Sequence, residues 1–142
     1  MAFLGLKNTT VTIGGRVITG WAPVAEALQI PDRTYGTEVQ GPTGEVTYST
    51  TGAIGGPVKL TLLPTSDDAH YFMDEFQAQI AAPRILWQGS VRYNDTRESV
   101  SFIDGYLKMA PAGHSLGNAD PKNVEITFFF KDIQYSGEAA TV

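Results

Sequence analysis

Cysteine is absent from this sequence. That omission excludes disulfides, thiolate metal sites and a thiol nucleophile together, and it leaves the redox compartment open. Histidine occurs only twice, as His70 and His114, so imidazole chemistry is confined to two positions. Basic residues stand singly along the chain, and the net charge is −5. Such a balance is poorly suited to gripping a phosphate backbone and fits a soluble or nucleic-acid-avoiding surface. No run approaches eighteen apolar residues, so no membrane span is expected. The opening MAFLGLKNTT lacks a basic lead and a cleavage site, so no signal peptide is expected.

What is present is globular. With 42% hydrophobic and 18% charged residues, the composition argues against global disorder. A chain of 142 residues is most simply one domain, 1–142, with residues 1–8 and 136–142 expected as flexible arms. At that size it buries roughly two-thirds of its unfolded surface, enough for a core without staples.

Strand signals dominate. TTVTIGGRVITGW, residues 9–21, reads as two short strands turning at Gly14-Gly15, since paired glycines supply the positive φ of a tight hairpin. Pro31 places any strand in ALQIPDRTYGTEVQ at an edge or an end. From Glu45 to Leu62 two alternating runs flank a Gly-rich tip, which reads as a long hairpin. RILWQGSVRYND and ESVSFIDGYLKM are two further strands about a turn at Asn94-Asp95. After the loop PAGHSLGNADP comes a last strand, VEITFFFKDIQY. Alternation there puts Val124, Ile126, Phe128 and Phe130 on one face and Phe129 and Ile133 on the other.

One helix is predicted, over about residues 66–80. Thr65 or Ser66 can cap it, Asp67 and Asp68 suit its positive end, and Ala69, Phe72, Met73, Phe76 and Ile80 form one apolar stripe. The fold class is therefore mainly β: an antiparallel β-sandwich or open barrel of seven or eight strands with one α-helix covering an end.

Chemistry is sparse. His70 lies near Asp67, Asp68 and Asp74 on the helix, a grouping that also occurs as ordinary surface pairing. His114 stands beside Ser115 in a small-residue loop, with no third group to orient a nucleophile and its base. No phosphate loop is present, and the aromatics fall at core positions of strands and helix. No catalytic set, metal site or cofactor site is read from the chain.

The informative feature is the polar face of the middle hairpin. Glu45, Thr47, Ser49, Lys59 and Thr61 alternate against Val46, Tyr48, Val58, Leu60 and Leu62. A plain solvent-exposed sheet shows the same alternation. So does a ring of open sheets in which neighbouring subunits protect one another's edges around a wet channel.

The order VTIGGRVITGW, then GPTGEVTYSTTGAIGGPVKLTLLPTSDDAHYF, then VEITFFFKDI resembles the tail tube proteins of contractile-tailed bacteriophages, over roughly residues 9–133. The loop PAGHSLGNADP departs from that pattern. The resemblance implies a structural virion protein without enzymatic activity, assembled in the host cytoplasm into the phage tail. Its homo-hexameric rings would stack into a hollow tube for genome DNA, with sheath, tape measure and baseplate proteins as partners. Lumen-facing residues would be Glu45, Thr47, Ser49, Lys59 and Thr61. The segment Thr51, Gly52, Ala53, Ile54, Gly55, Gly56 and Pro57 would reach the adjacent ring. The alternatives are the needle-tube subunit of a type VI secretion system, a small-ligand-binding β-barrel with an open apolar interior, and an enzyme working through His70 or His114.

Overall fold

The computed structural model describes residues 5–50, 54–83, 87–118 and 121–137. Its first turn is the expected one. Gly14 and Gly15 take φ of 62° and 81°, folding β1 (Thr9–Ile13) back on β2 (Arg16–Val17). A side chain at Gly14 is also excluded by space, since its Cβ would lie 2.6 Å from the Trp87 ring.

Seven further strands and one helix are described: β3 (Leu28–Gln29), β4 (Gly36–Gln40), β5 (Val46–Thr50), β6 (Gly56–Leu62), α1 (Asp67–Ala81), β7 (Trp87–Tyr93), β8 (Glu98–Met109) and β9 (Val124–Ser136). One antiparallel sheet runs β2-β1-β7-β8-β9-β6-β3 and curls into a half barrel; β4 and β5 make a separate two-stranded ribbon. Of the two architectures expected, the open barrel is the one formed. Of the expected arms, residues Leu6–Asn8 form a 3-10 turn and Ser136 ends β9, while 1–4 and 138–142 lie outside the described residues.

Helix α1 begins at Ser66, whose Oγ accepts from the Ala69 N–H at 3.2 Å, so Ser66 rather than Thr65 is the cap. Ala69 and Phe72 are fully buried, and Met73 and Phe76 pack against the core more loosely. Ile80 does not complete the stripe; it is 64% exposed. The reason is polar. Among the described residues the last β7–β8 pair is Trp87↔Gly105, and beyond it the β8 backbone takes another partner. Gln79 supplies it, donating from Nε2 to the Leu107 carbonyl at 2.8 Å and accepting from the Leu107 N–H at 3.3 Å. The helix therefore turns Gln79, not Ile80, toward the sheet.

An aromatic cluster fills the half barrel. Phe72 meets Phe128 edge to face at 5.4 Å, Trp87 meets Phe128 at 5.4 Å, and Phe102 stacks on Phe130 at 5.0 Å. Along β8 the buried positions run Val100 and Phe102, then Gly105 and Leu107, changing phase across Asp104 at φ 52°. Along β9 they run Val124, Ile126, Phe128 and Phe130, then Ile133. Both strands change phase together, so Phe102↔Ile133 and Gly105↔Phe130 keep one register. Ile133 consequently joins the same core as Phe130, contrary to simple alternation, and Phe129 is left 38% exposed.

Candidate assembly surface

The long hairpin expected over residues 45–62 is not formed. β5 pairs with β4, in the register Glu38↔Tyr48 and Val39↔Thr47, whereas β6 pairs with β9 and β3. Burial explains the choice. The β6–β9 register sets Val58 opposite Phe128, Leu60 opposite Ile126 and Leu62 opposite Val124, three apolar pairs on the core face. β5 has only Val46 and Tyr48 on its apolar face, too short a row to match that burial.

The ribbon is unusual in its exposure. Every residue of β5 is exposed, as are all of β4 but Gly36. Directly opposed residues share a face, so one face carries Tyr48 and Val46 with Glu38 and Gln40. The other carries Val39 with Thr37, Thr47 and Ser49. Tyr48 is 79% exposed, and Val39 and Val46 are exposed as well. At the ribbon's turn the Gly41 N–H donates to the Glu45 carbonyl at 2.7 Å, and the Thr43 hydroxyl donates to the Glu45 carboxylate.

The five residues grouped by alternation thus separate. Glu45, Thr47 and Ser49 lie in or beside the ribbon; Lys59 and Thr61 lie in the main sheet. Lys59 forms an ion pair with Glu125 at 3.3 Å. Thr61 is only 6% exposed, because the segment 22–27 covers it: its N–H donates to Ala27 and its carbonyl accepts from Ala22. Of the segment 51–57, Thr51, Gly52 and Ala53 lie outside the described residues. Gly56 and Pro57 are not loop but the start of β6, with Gly56 and Pro57 opposite Phe130 and Phe129. Ile54 precedes the strand and accepts at its carbonyl from the Ile133 N–H.

The sheet's borders are thin. Its outer strands β2 and β3 have two residues each, and among the described residues no ladder joins them. The outer face of β8–β9 carries a second apolar patch, with Phe129 beside Tyr106 at 6.3 Å and Lys108 Nζ 5.8 Å from the Phe129 ring.

The segment after the first hairpin and the start of α1 meet at Asp68. This carboxylate is 4% exposed and accepts from the N–H groups of Thr19 and Gly20 at 2.8 and 2.9 Å and from Arg16 Nε at 2.6 Å. Burial pushes its pKa up, but the Thr19 N–H, the Arg16 guanidinium and the Gly20 N–H outweigh that and hold it below the ordinary value. Gly20 leaves no room for a side chain, since its Cβ would collide with Ser66. The pattern RVITG followed by TSDD therefore encodes a latch between hairpin and helix.

No group of three metal-ligating side chains is found among the described residues. The fold does bring together two residues that sequence distance separates: the His70 and His114 rings meet edge to face, 6.0 Å between centroids. The interior that a ligand-binding barrel would keep open is occupied by Phe128 and Phe130, both fully buried. No helix of the described residues is long and apolar enough to cross a membrane.

No protein-family profile and no curated protein matches the sequence. Solved structures do match in fold. The tube-terminating cap of the anti-feeding prophage superposes with a TM-score of 0.64 at 12% identity, over 96% of this chain and 93% of that one. The sheath/tube terminator of the extracellular contractile injection system PVC gives 0.63 at 11% identity, over 96% and 98%. The sheath-tube complex of the same system gives 0.61 at 13% identity, over 94% and 91%. The chain has a tail-tube-like fold.

Proposed function

We propose that this chain is a structural subunit of a phage-tail-like tube, and that copies of it close into rings and stack around a hollow conduit. The ribbon carries the reading. An isolated two-stranded ribbon is marginal in water, yet β4 and β5 hold Tyr48, Val39 and Val46 in solvent on both faces. Burial of the Tyr48 and Val46 face against a neighbouring copy is the simplest way to stabilise it, with the face of Thr47 and Ser49 left toward the bore. The thin sheet borders and the likeness in fold to tube and terminator structures support the same reading.

In the proposed assembly the rings are hexamers, sheath and baseplate proteins bind outside, and genome DNA passes within. The net charge of −5 and the absence of a basic cluster suit a bore through which a polyanion slides without counterion-releasing contacts. Glu45, Thr47, Ser49 and Lys59 are the proposed lining, and Ile54 with the residues before it the proposed contact to the next ring. The role is architectural and involves no turnover.

A capping position is the second reading, favoured by the likeness to a terminating cap and a terminator over almost the whole chain. Negative-stain microscopy of the concentrated protein tests both. Stacked tubes support the repeating subunit, and closed rings that do not stack support the cap. A monomer at every concentration, with or without a nucleating baseplate, overturns both.

A further inference from the structure

We propose that His70 and His114 form a chelating site for a late first-row divalent cation such as Ni²⁺ or Zn²⁺, fastening the segment 110–118 after β8 to α1. They are the chain's only histidines. One comes from the exposed side of the helix and the other from the loop after β8, and the fold sets their rings 6.0 Å apart at 71°.

That spacing is close to what a shared ion requires. With metal–nitrogen bonds of about 2.0–2.1 Å, two imidazole centres on one ion lie about 5 Å apart at a tetrahedral angle and about 6 Å apart when the nitrogens oppose each other. The rings stand at the upper end of that range, and both residues are exposed, so each can turn a nitrogen inward. Two nitrogen donors select Ni²⁺, Cu²⁺ or Zn²⁺ over Mg²⁺ and Ca²⁺, which require oxygen. With no third protein ligand among the described residues, water completes the shell.

The loop has reason to need a fastening. Apart from the exposed Leu116 its described residues are small or polar, and the ties among them are the Lys122 N–H to the Ser115 carbonyl at 2.9 Å and a bridge between Leu116 and Pro121. It also walls an open depression of about 380 Å³ with Lys59, Lys122 and Thr127, so its position sets the shape of that surface. An ion on His70 and His114 would join it to the helix behind.

The test uses the full chain without a histidine tag. Isothermal titration with Ni²⁺ is compared across wild type, His70→Ala, His114→Ala and the double variant. Exposed substitutions leave the fold intact, which unchanged metal-free melting confirms. Loss of either ring removes the intramolecular second ligand, so each single variant should bind roughly a hundredfold more weakly, with the double variant little worse. Zn²⁺ should raise the wild-type melting temperature and slow proteolysis near Leu116, with neither effect in the single variants. Wild type binding no tighter than the double variant, or single variants matching wild type, would mean the rings meet only as an aromatic contact, and the proposal would fail. Binding is read on the subunit itself, so its outcome is independent of tube formation.

Discussion

Arg16 Nε lies 2.6 Å from Asp68 Oδ1, joining the first hairpin to the first turn of α1, while the same guanidinium sits 4.7 Å from the centre of the Tyr71 ring. Asp68 is thereby held by one charged and two backbone donors. The helix cannot shift without breaking all three.

Asp68→Ala should therefore destabilise the subunit by about 2–3 kcal/mol, below the full cost of opening a buried pair because water can reach Arg16. The effect is acid-sensitive. Asp68 titrates below its ordinary 3.8 in the folded state, so its contribution is fully present above about pH 4 and is lost as pH falls through the folded value. Urea melts of wild type and Asp68→Asn should differ at pH 7 and converge toward pH 2. A gap that persists in strong acid would contradict this assignment.

Gln79→Ala removes the side chain that satisfies both backbone groups of Leu107. A cost of about 1–2 kcal/mol is expected, at the low end for two orphaned groups because the site is only part-buried. Hydrogen exchange at the Leu107 amide should accelerate more than exchange at the Val91 amide in the sheet centre. Equal acceleration would show that the helix end does not pin β8.

Phe72→Ala opens the centre of the aromatic cluster beneath Phe128 and Trp87. A loss of about 3–5 kcal/mol in chemical denaturation is expected. A loss under 1 kcal/mol would place the helix outside the cooperative core.

Val39→Ser with Tyr48→Ser alters both faces of the ribbon while touching no buried residue. Subunit stability should change by no more than about 0.5 kcal/mol. Light scattering should nevertheless show loss of the large assemblies proposed for the wild type. Retained assembly would remove the ribbon from the interface.

Much of the architecture was legible because it depends on local chemistry. Gly14-Gly15 must turn, Ser66 followed by two aspartates must start a helix, and Asn94-Asp95 lies in the turn between β7 and β8. Strand partnership was not legible. Alternation tells which face of β5 or β6 is polar, but not that Val58, Leu60 and Leu62 find a better apolar row on β9 than on β5. The same limit misplaced Ile133, whose burial depends on the backbone at Asp104 in a different strand. Thr61 looked solvent-facing by period and is covered by a segment of irregular structure that no period describes. The outer patch at Phe129 and the meeting of His70 with His114 likewise arise only once segments distant in sequence are set side by side.

The order β2-β1-β7-β8-β9-β6-β3 also governs when the chain can complete its fold. β9 stands between β8 and β6, and it is the last of these strands to leave the ribosome. Until it emerges, the first hairpin with β7 and β8 has no ladder to β6 with β3, and the two are joined through contacts such as the Trp21–Leu62 bridge and the Asp68 latch. Non-local insertions of this kind are slow steps. A nascent chain thus lacks the joint between its two ladders, and only a polypeptide extending through β9 has the complete sheet.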